Sequence, residues 1–523
     1  MRLVTAKEMR SLDAHAINNI GIPGIALMEL AGAGTARAIL KRWPGEGSSF
    51  LVVAGKGNNG GDGYVTARHL TNAGCEVNIV VLGNEESIAG DAKTNLMAAK
   101  ALKIPIVEIN STADILYLEE MFHTADFIID AIFGTGLDRE VTGIPREMIS
   151  AINASPAIKI AIDMPSGLCA DTGAVMGDEA IQADLTVTFG YGKIGQFTSP
   201  GFSYCGEIDI VDISLPAVSH GRPTCFLLTD AWIRDHLPFR PRGGHKGTFG
   251  HLAIIAGSRG KIGAAIMCSE AAISMGSGLV TLVSPADVQD ILMNRLTEAM
   301  CAELCAPGVE PSLADMDHLM SLTREKDVVV IGPGIPVGEG MFQLLAALIE
   351  RTEVPLIIDA DGLNLLARDP SILKKAGAPV IITPHPGEMA RLTGKSVEEI
   401  QHHRRSTASS FAREHNVYVT LKGARSIIAA PDGRTAINPT GNSGMGTGGS
   451  GDVLTGMIGA LVAQRSNPFD AMAVGVFLHG RSGDLVAQER GELSLRATDL
   501  IDYLPNALFS IRGHEQDRFS GPS

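Results

Sequence analysis

From residue 50 onward, short runs of apolar and β-branched residues alternate with longer stretches of helical periodicity. In the first half the apolar runs are FLVVAG (50–55), EVNIVVLG (76–83), FIIDAIFG (127–134) and IKIAIDMPSG (158–167). Such alternation predicts a parallel sheet with helices on both faces. The first half is therefore expected to be a doubly wound α/β domain.

A second series of the same kind follows. Its apolar runs are HLAIIAG (251–257), GLVTLVS (278–284), DVVVIGPG (327–334), PLIIDADG (355–362), PVIITPHPGE (379–388) and YVTLKGARSIIA (418–429). A polar stretch with two prolines, 215–230, separates the two series and is followed by a Pro- and Gly-rich segment, 238–250. We therefore place a boundary near 217–226 and predict two α/β domains, 1–217 and 226–512.

Composition narrows the class of protein. Of the 523 residues, 45% are hydrophobic and 19% charged, which is typical of a folded multidomain chain. A net charge of −15 predicts no general attraction to nucleic acid or anionic membrane. The seven cysteines form no CxxC pattern of a zinc or disulfide framework. The first residues are too charged for a signal peptide and no apolar run reaches membrane-spanning length, so we expect a cytoplasmic protein.

A glycine-rich loop in the first half carries the first candidate chemistry. Gly55, Gly57 and Gly60 form a GxGxxG pattern between a strand and a helix, with Glu76 about twenty residues on. This pattern is typical of a Rossmann-like dinucleotide-binding site, so a dehydrogenase is an alternative interpretation. The pattern does not require Asn58, Asn59, Gly61 or Asp62, which add polar groups where phosphates and a cation could both be bound.

Three more polar residues end strands at the same predicted edge of the sheet. Asp130 closes FIID, and Asp163 and Ser166 follow IKIAI in IDMPSGL. Ligands of doubly wound folds bind at that edge. Each aspartate could equally cap the next turn, but their coincidence beside glycine loops favours a site.

These motifs resemble a known family. GNNGGDG (57–63), DAIFGTGL (130–137) and DMPSGL (163–168) are similar to the NAD(P)HX epimerases, which interconvert the C6 epimers of hydrated NADH and NADPH, over about the first 215 residues. The resemblance implies that Asp163 touches the hydrated nicotinamide as acid or base, either as the ring opens or as hydroxide departs. It implies a potassium ion held by Asn59, Asp130 and Ser166. It implies that the substrate is bound by Asn58, Asn59, Gly60, Gly61, Asp62, Gly134, Thr135, Gly136, Leu137, Asp138, Arg139, Glu140 and Asp163.

The most glycine-rich stretch lies in the second half, in TGNSGMGTGGSGDVLTG (440–456). Backbone N–H groups of such a run can form an anion-binding nest, and the helix that follows adds its positive end. Asp452 at the helix start is placed to accept a proton from a hydroxyl that attacks a phosphate. A helix cap is the simpler reading of one aspartate, but it does not explain the preceding glycines. No GxxxxGK[ST] is present, which excludes a P-loop.

Six motifs in order make this half resemble the ribokinase-like fold and, within it, the NAD(P)HX dehydratases, from about 226 to 510. They are HKGTFGHLAIIAGS (245–258), GPG (332–334), DADGLN (359–364), TPHPGE (383–388), LKGARS (421–426) and TGGSGDVLTG (447–456). The resemblance implies that Ala265, Gly334, His385 and Asp452 contact the hydrated dinucleotide. It implies that the nucleotide donor is held by Lys422, Gly423, Ala424, Arg425, Ser426, Asn442, Gly446, Thr447, Gly448, Gly449, Ser450 and Gly451. Lys422 as a surface lysine and His385 as a turn residue remain the alternatives.

Together the halves resemble the bifunctional NAD(P)H-hydrate repair enzymes. The first half would interconvert R- and S-NAD(P)HX with potassium, and the second would dehydrate the S epimer with ADP, and with magnesium, to give NAD(P)H, AMP and phosphate. ADP rather than ATP is expected because the fused arrangement looks bacterial. The expected partners are NADHX, NADPHX, ADP and further copies of the chain. A vitamin-like alcohol kinase fused to a dehydrogenase-like domain, and a first half that only binds dinucleotides, remain alternatives.

Overall fold

A computed structural model describes residues 1–216 and 224–512 of the chain. One compact unit spans Arg2–Cys225, and a second continues from Phe226 and takes in Met1. Most of the predicted boundary at 217–226 lies outside the described residues. The predicted self-association stays a prediction.

The N-terminal unit contains a seven-stranded sheet. The strands of the unit are β1 (Arg2–Val4), β2 (Ser49–Ala54), β3 (Glu76–Leu82), β4 (Ile106–Ile109), β5 (Phe127–Ala131), β6 (Ile158–Ile162), β7 (Leu185–Phe189), β8 (Gly192–Lys193) and β9 (Glu207–Val211). Strands β1 and β8 pair with each other, and the other seven form the seven-stranded sheet. The sheet order is β4-β3-β2-β5-β6-β7-β9, and every pairing is parallel. This confirms the predicted doubly wound α/β class.

Seven α-helices belong to the described part of this unit. They are α1 (Ala6–His15), α2 (Gly24–Arg42), α3 (Asn58–Asn72), α4 (Gly90–Ala101), α5 (Glu119–Thr124), α6 (Ile144–Ala154) and α7 (Ile194–Phe197). Successive residues of β2 enter different cores, because strand side chains alternate between faces. Phe50 and Val52 belong to one cluster, and Leu51 and Val53 to another. Both faces of the sheet are therefore buried, as a parallel sheet requires.

The C-terminal unit is built on a longer sheet. Its strands are β10 (Cys225–Leu227), β11 (His251–Ile255), β12 (Leu279–Ser284), β13 (Met300–Glu303), β14 (Val328–Ile331), β15 (Leu356–Ile358), β16 (Val380–Ile382), β17 (Tyr418–Leu421), β18 (Ile427–Ala429) and β19 (Thr435–Ile437). Their order is β13-β12-β11-β14-β15-β16-β17-β18-β19-β10. Pairings from β13 to β17 are parallel, whereas β17, β18 and β19 form an antiparallel edge.

Thirteen helices complete the described part of this unit. They are α8 (Asp230–His236), α9 (Ile262–Ser274), α10 (Gln289–Met293), α11 (Met316–Thr323), α12 (Glu339–Arg351), α13 (Asp361–Leu366), α14 (Pro386–Thr393), α15 (Val397–His402), α16 (Arg404–His415), α17 (Ser450–Ala463), α18 (Pro468–Arg490), α19 (Ala497–Asp502) and α20 (Leu504–Arg512). Helix α17 is apolar almost all round, so it is buried in the core with α9 and α18. None of the helices in residues 1–216 and 224–512 has the length and apolar character needed to cross a bilayer.

Candidate active sites

The first candidate site lies at the carboxyl edge of the N-terminal sheet. The strand order reverses at β2, which lies between β3 and β5. At such a point the connections leave toward opposite faces and open a crevice for ligands. The loops that follow β2, β5 and β6 carry the predicted residues, in segments 55–62, 132–140 and 163–166.

Asp130 and Ser166 lock two of these loops together. Asp130 is fully buried; its Oδ1 accepts a hydrogen bond from Ser166 Oγ at 2.6 Å, and its Oδ2 accepts one from the Ser166 backbone N at 2.7 Å. Ser166 Oγ in turn accepts a hydrogen bond from Phe133 N at 2.8 Å. Burial raises the pKa of Asp130 to about 6, although the hydrogen bonds from Ser166 oppose the shift. The arrangement concentrates buried oxygen atoms at one point.

Asp163 is paired with a buried lysine. Asp163 Oδ1 lies 2.5 Å from Lys193 Nζ and accepts a hydrogen bond from Thr188 Oγ1 at 3.3 Å, while Oδ2 accepts one from Thr135 N at 3.0 Å. Lys193 is fully buried, and its ammonium also donates to Thr188 Oγ1 at 2.8 Å and to Phe189 O at 3.0 Å. Both oxygens of Asp163 are therefore already engaged by donors. Its backbone has a φ of +64°, a left-handed conformation that costs a non-glycine residue free energy and is typical of functional sites.

A cavity of about 870 Å³ lies over this edge. Among the predicted residues, its wall includes Asn58, Asn59, Asp62, Gly134, Thr135, Gly136, Leu137, Arg139 and Asp163. Unpredicted residues on the wall include Asp13 from α1 and Lys193 from β8. The volume is in the usual range for a pocket that binds a small molecule or cofactor.

Two glycines of the predicted phosphate loop instead allow helix α3 to pack closely. A Cβ atom on Gly60 would lie 2.0 Å from Gly55 O, and one on Gly61 would lie 2.6 Å from Met28 Cε. Neither residue is on the cavity wall, and Asp138 and Glu140 are also absent from it. The side of the loop that faces the cavity is formed by the residues around them.

The second candidate site lies at the carboxyl edge of the C-terminal sheet. Four strands, β14 to β17, end beside one another there, and the first turn of α17 faces them across Lys422 and Asp359. Gly334, Asp359, His385 and Lys422 follow these strands in turn. Five of the six sequence motifs of this half thus meet at one edge.

Asp359 holds the centre of this site together. It is almost completely buried; its Oδ1 lies 2.8 Å from Lys422 Nζ, and its Oδ2 accepts a hydrogen bond from Thr455 Oγ1 at 2.6 Å. Burial alone would lower the pKa of Lys422, but the charges of Asp359 and Glu388 raise it. The ammonium of Lys422 is therefore kept charged at the end of β17.

Asp452 lies in the first turn of α17, as the sequence predicts. Burial, followed by the negative charge of Asp359, raises the pKa of Asp452 to about 7, while Lys422 opposes this shift. No described residue donates a hydrogen bond from its side chain to this carboxylate. A carboxyl group with a pKa near neutrality can exchange protons readily at physiological pH.

His385 and Glu388 form a capping box at the start of α14. His385 Nδ1 accepts a hydrogen bond from Gly387 N at 3.0 Å, and Glu388 Oε2 accepts one from His385 N at 2.8 Å. Burial raises the pKa of Glu388 to about 7, and Lys422, 3.9 Å away, opposes the shift. The imidazole side chain of His385 is half exposed. It has a structural role and remains accessible to a ligand.

The glycine-rich loop turns into α17 at Gly449. Its φ is +96°, and a Cβ atom there would lie 2.3 Å from Met267 Cε. Only glycine meets both conditions without strain. One residue later, the backbone oxygen of Ser450 accepts a hydrogen bond from the buried His479 Nε2 at 2.9 Å. The beginning of α17 is thereby fixed against α18.

Comparisons with known proteins agree with this two-site architecture. The profile of the YjeF-related protein N-terminus family matches residues 24–195, and the profile of the NAD(P)H-hydrate dehydratase family matches residues 252–506. The bifunctional NAD(P)H-hydrate repair enzyme Nnr of Moorella thermoacetica is 44% identical over 98% of this chain and 97% of its own length. The chain belongs to the family of bifunctional NAD(P)H-hydrate repair enzymes.

Other members of the repair-enzyme family are similar over the same extent. The enzyme of Escherichia coli with the same name is 35% identical over 99% of this chain and 96% of its own length. Among solved structures, the ADP/ATP-dependent NAD(P)H-hydrate dehydratase of Bacillus subtilis, co-crystallised with ATP and magnesium, is 31% identical. The match covers 55% of this chain and 98% of the Bacillus subtilis chain, with a TM-score of 0.47.

The predicted residues of the second site differ in how exposed they are. In the repair enzyme's second half, Gly423, Ala424, Gly446 and Gly448 are exposed in their loops. Ala265 is fully buried on α9, and its Cβ lies 3.1 Å from the Cβ position of Gly257, so its side chain packs beneath the loop. Gly334 is buried as well, with a φ of +69°. The contact of Ala265 and Gly334 with the hydrated dinucleotide stays a prediction.

Sequence reasoning missed several residues that the structure places in the sites. Lys193 and Thr188 follow Asp163 by 30 and 25 residues, and no local pattern announces their contact. Asp13 comes from a helix that precedes the sheet. Asp359 lies within the DADGLN motif, but no role was predicted for it from the sequence. The sequence signal that could have drawn attention to Lys193 is a lysine between a glycine and an isoleucine in YGKIGQ, shortly after a strand.

The described residues contain no group of three or more His, Cys, Asp or Glu side chains arranged to hold a metal ion. None of the seven cysteines, all of which lie in the described residues, forms a disulfide bond. Asn59 is notable because its buried Nδ2 has no hydrogen-bond partner. The oxygen and nitrogen of an amide are assigned from their surroundings, so a flipped side chain would turn an oxygen toward this buried position.

Proposed function

We propose that this chain repairs hydrated NADH and NADPH in two reactions, each performed by one of its units. The N-terminal cavity would interconvert the R and S epimers at C6, and the site around Asp452 would dehydrate the S epimer with ADP. The observation that carries the proposal is the position of Asp452, which has a pKa of about 7 and follows a glycine-rich loop at a helix start. The family to which the chain belongs supports both activities.

The dehydration requires activation of a poor leaving group. Asp452 would take the proton of the C6 hydroxyl as its oxygen attacks the terminal phosphorus of the nucleotide, and AMP would leave. The C6–O bond would then break, with its electron pair leaving on phosphate, while the N1 lone pair forms N1=C6. Loss of a proton from C5 would restore the dihydropyridine ring. A kinase-like site thus performs a net elimination.

The nucleotide would be held by the loops around Lys422 and Gly449. The Lys422 ammonium, kept charged by Asp359, suits the phosphates, and the N-terminal end of α17 adds a favourable dipole. The backbone of segments 423–426 and 442–451 would contact the rest of the nucleotide. We infer that ADP is the donor, giving AMP and phosphate.

Magnesium is proposed to arrive with the nucleotide. Lys422 and Thr455 already engage Asp359, and Asp361 is engaged by Lys261 at 2.8 Å and Asn364 at 3.2 Å. Phosphate oxygens and water usually provide most magnesium ligands in such sites. When bound, the ion would neutralise phosphate charge, and no protein ligand is assigned to it here.

Potassium is proposed for the first half, held by Asn59, Asp130 and Ser166. The buried oxygens of Asp130 and Ser166 lie 2.6 Å apart, and the buried amide nitrogen of Asn59 has no hydrogen-bond partner, so a flipped amide would offer a further buried oxygen. Such a donor set of oxygens suits a hard monovalent cation. The ion would supply fixed positive charge next to the substrate phosphates.

Substrate in the first half would occupy the 870 Å³ cavity. Asp163 and Lys193 would face the hydrated nicotinamide, while segments 58–62 and 134–140 would contact the substrate around it. Asp163 is proposed as a catalytic carboxylate, because it lies on the cavity wall and its oxygens accept hydrogen bonds from three donors.

The test is incubation of a mixture of R and S hydrates with ADP or with ATP while dihydronicotinamide absorbance is followed. We expect complete recovery of the absorbance with ADP and release of one AMP per hydrate. A stable phosphorylated product without recovery of absorbance would instead identify a small-alcohol kinase. Unchanged R epimer after exhaustion of S would identify a first half that only binds dinucleotides.

A further inference from the structure

Two carboxyl groups on the wall of the N-terminal cavity have no assigned chemistry. Asp13 is on α1 and Asp62 is on α3, and both line the same cavity as Asp163 and Lys193. Among residues 1–216 and 224–512, no donor forms a hydrogen bond with either side-chain carboxyl group. Both residues are partly exposed, and both line the cavity.

Their position contrasts with that of Asp163. Both Asp163 oxygens are occupied, by Lys193 and Thr188 on one side and by the Thr135 backbone on the other. A carboxylate that accepts three hydrogen bonds suits the role of an anion or base. Asp62 and Asp13 have no such donors and carry like charges near one another, so at least one of them favours the protonated form.

Epimerisation needs both an acid and a base. For the C6–O bond to break, the oxygen must receive a proton, and for water to return to the other face, a proton must be removed. Two carboxyl groups of one site can act as acid and base when their environments favour different protonation states. In this cavity Asp163 accepts hydrogen bonds from three donors, whereas the Asp62 carboxyl group accepts none from the described residues.

We propose that Asp62 is the acid that protonates the departing C6 hydroxyl, that Asp163 is the base, and that Asp13 is a positioning residue that keeps Asp62 in its acidic form. This rests on the proposed epimerase function. The Asp62 proton passes to the C6 oxygen, the C6–O bond breaks with its electron pair on the departing water, and the N1 lone pair forms N1=C6. Water then bonds to the opposite face of C6, the π electrons return to N1, and the water proton passes to Asp163. Asp163 then releases this proton to solvent, and solvent returns a proton to Asp62.

The electrostatics of the cavity support this assignment. Burial, followed by the charges of Asp163 and Asp13, raises the pKa of Asp62 well above its usual range, and Lys193 opposes the shift. Burial likewise raises the pKa of Asp13 to about 6, with Lys193 opposing and Asp163 reinforcing the shift. The other charged side chains on the wall are Arg10, Lys56, Asp91 and Arg139.

The test uses the full chain without nucleotide, so that only R-to-S exchange is observed, by chromatography of the hydrates. Asp62→Asn should lower the exchange rate by about 10² to 10⁴-fold. Asp13→Asn should keep part of the activity, and its alkaline limb should move to lower pH because Asp62 loses a like charge. Glu120→Gln, an exposed carboxylate on α5, is the control and should exchange at the wild-type rate.

Stability separates a catalytic role from a structural one. A carboxyl group whose folded pKa is raised stabilises the fold only at low pH, and this contribution is lost as the pH rises through the folded pKa. At pH about 8, Asp13→Asn and Asp62→Asn should therefore melt no lower than wild type. Wild-type exchange by Asp62→Asn, an unmoved pH profile in Asp13→Asn, or a lower melting temperature of either variant would overturn the inference. Absence of exchange in the wild-type chain itself would instead contradict the proposed epimerase.

Discussion

Lys422 Nζ lies 2.8 Å from Asp359 Oδ1, and this buried pair joins the end of β17 to the end of β15. The second oxygen of Asp359 accepts a hydrogen bond from Thr455, one turn beyond Asp452 on α17. One carboxylate thus positions the cation that would bind phosphate and the helix that carries the proposed base.

Removing the Asp359 charge should destabilise the C-terminal unit. Asp359→Asn leaves the ammonium of Lys422 mostly buried without its close partner, and we expect a loss of about 3 kcal/mol in the free energy of unfolding. Glu399→Gln breaks the exposed pair with Lys395 and should cost less than about 1 kcal/mol. Chemical denaturation followed by Trp232 fluorescence in a Trp43→Phe background reports this unit alone. Equal losses in the two variants would contradict the structural role of Asp359.

The glycine loop offers a matched pair of substitutions. Gly449→Ala places a Cβ atom on a residue with φ of +96° and close to Met267, so it should lower stability by about 1 to 2 kcal/mol. A Cβ atom on Gly448 meets nothing within 4 Å, so Gly448→Ala should leave stability nearly unchanged. Melting temperatures of both variants check this, and equal melting temperatures would mean that the turn into α17 is not fixed as described.

The pH dependence of dehydration should report the ionisation of Asp452. Because the base must be ionised, the single-turnover rate should fall about tenfold per pH unit below a pKa of about 7 and level off above it. Asp359→Asn should move this limb to lower pH, because the charge of Asp359 contributes to the raised pKa. Asp470→Asn, in the first turn of α18, should leave it in place. An acid limb near pH about 4 in the wild type would show that a carboxyl group with an ordinary pKa controls the step.

The buried ion pair of the first half gives a parallel test. Lys193→Met leaves Asp163 without its lysine partner, so R-to-S exchange should fall by roughly 10²-fold and the N-terminal unit should lose about 3 kcal/mol. Arg146→Met removes the exposed contact with Asp178, and both quantities should stay near wild type. Fluorescence of Trp43 in a Trp232→Phe background measures the stability. Wild-type exchange in Lys193→Met would show that Asp163 does not depend on the lysine.

Local patterns predicted the local part of this structure. The start of α17 before Asp452 and the strand that ends before Asp163 were accessible from sequence, because glycine runs and apolar runs act over a few residues. The contact of Lys193 with Asp163 depends on how β8 and the end of β6 meet in space, which no short pattern encodes. Ala265 is fully buried on α9, a packing environment that no short pattern encodes either.

The central claim is that two separate sites act in sequence on the hydrates, and complementation tests it most directly. Pure R hydrate is incubated with ADP and with Asp163→Asn, with Asp452→Asn, or with both variants together. Asp452→Asn alone should produce S hydrate without dihydronicotinamide absorbance, and Asp163→Asn alone should produce absorbance only at the rate of spontaneous epimerisation. The mixture should restore absorbance at close to the wild-type rate. A mixture no faster than Asp163→Asn alone would contradict the account.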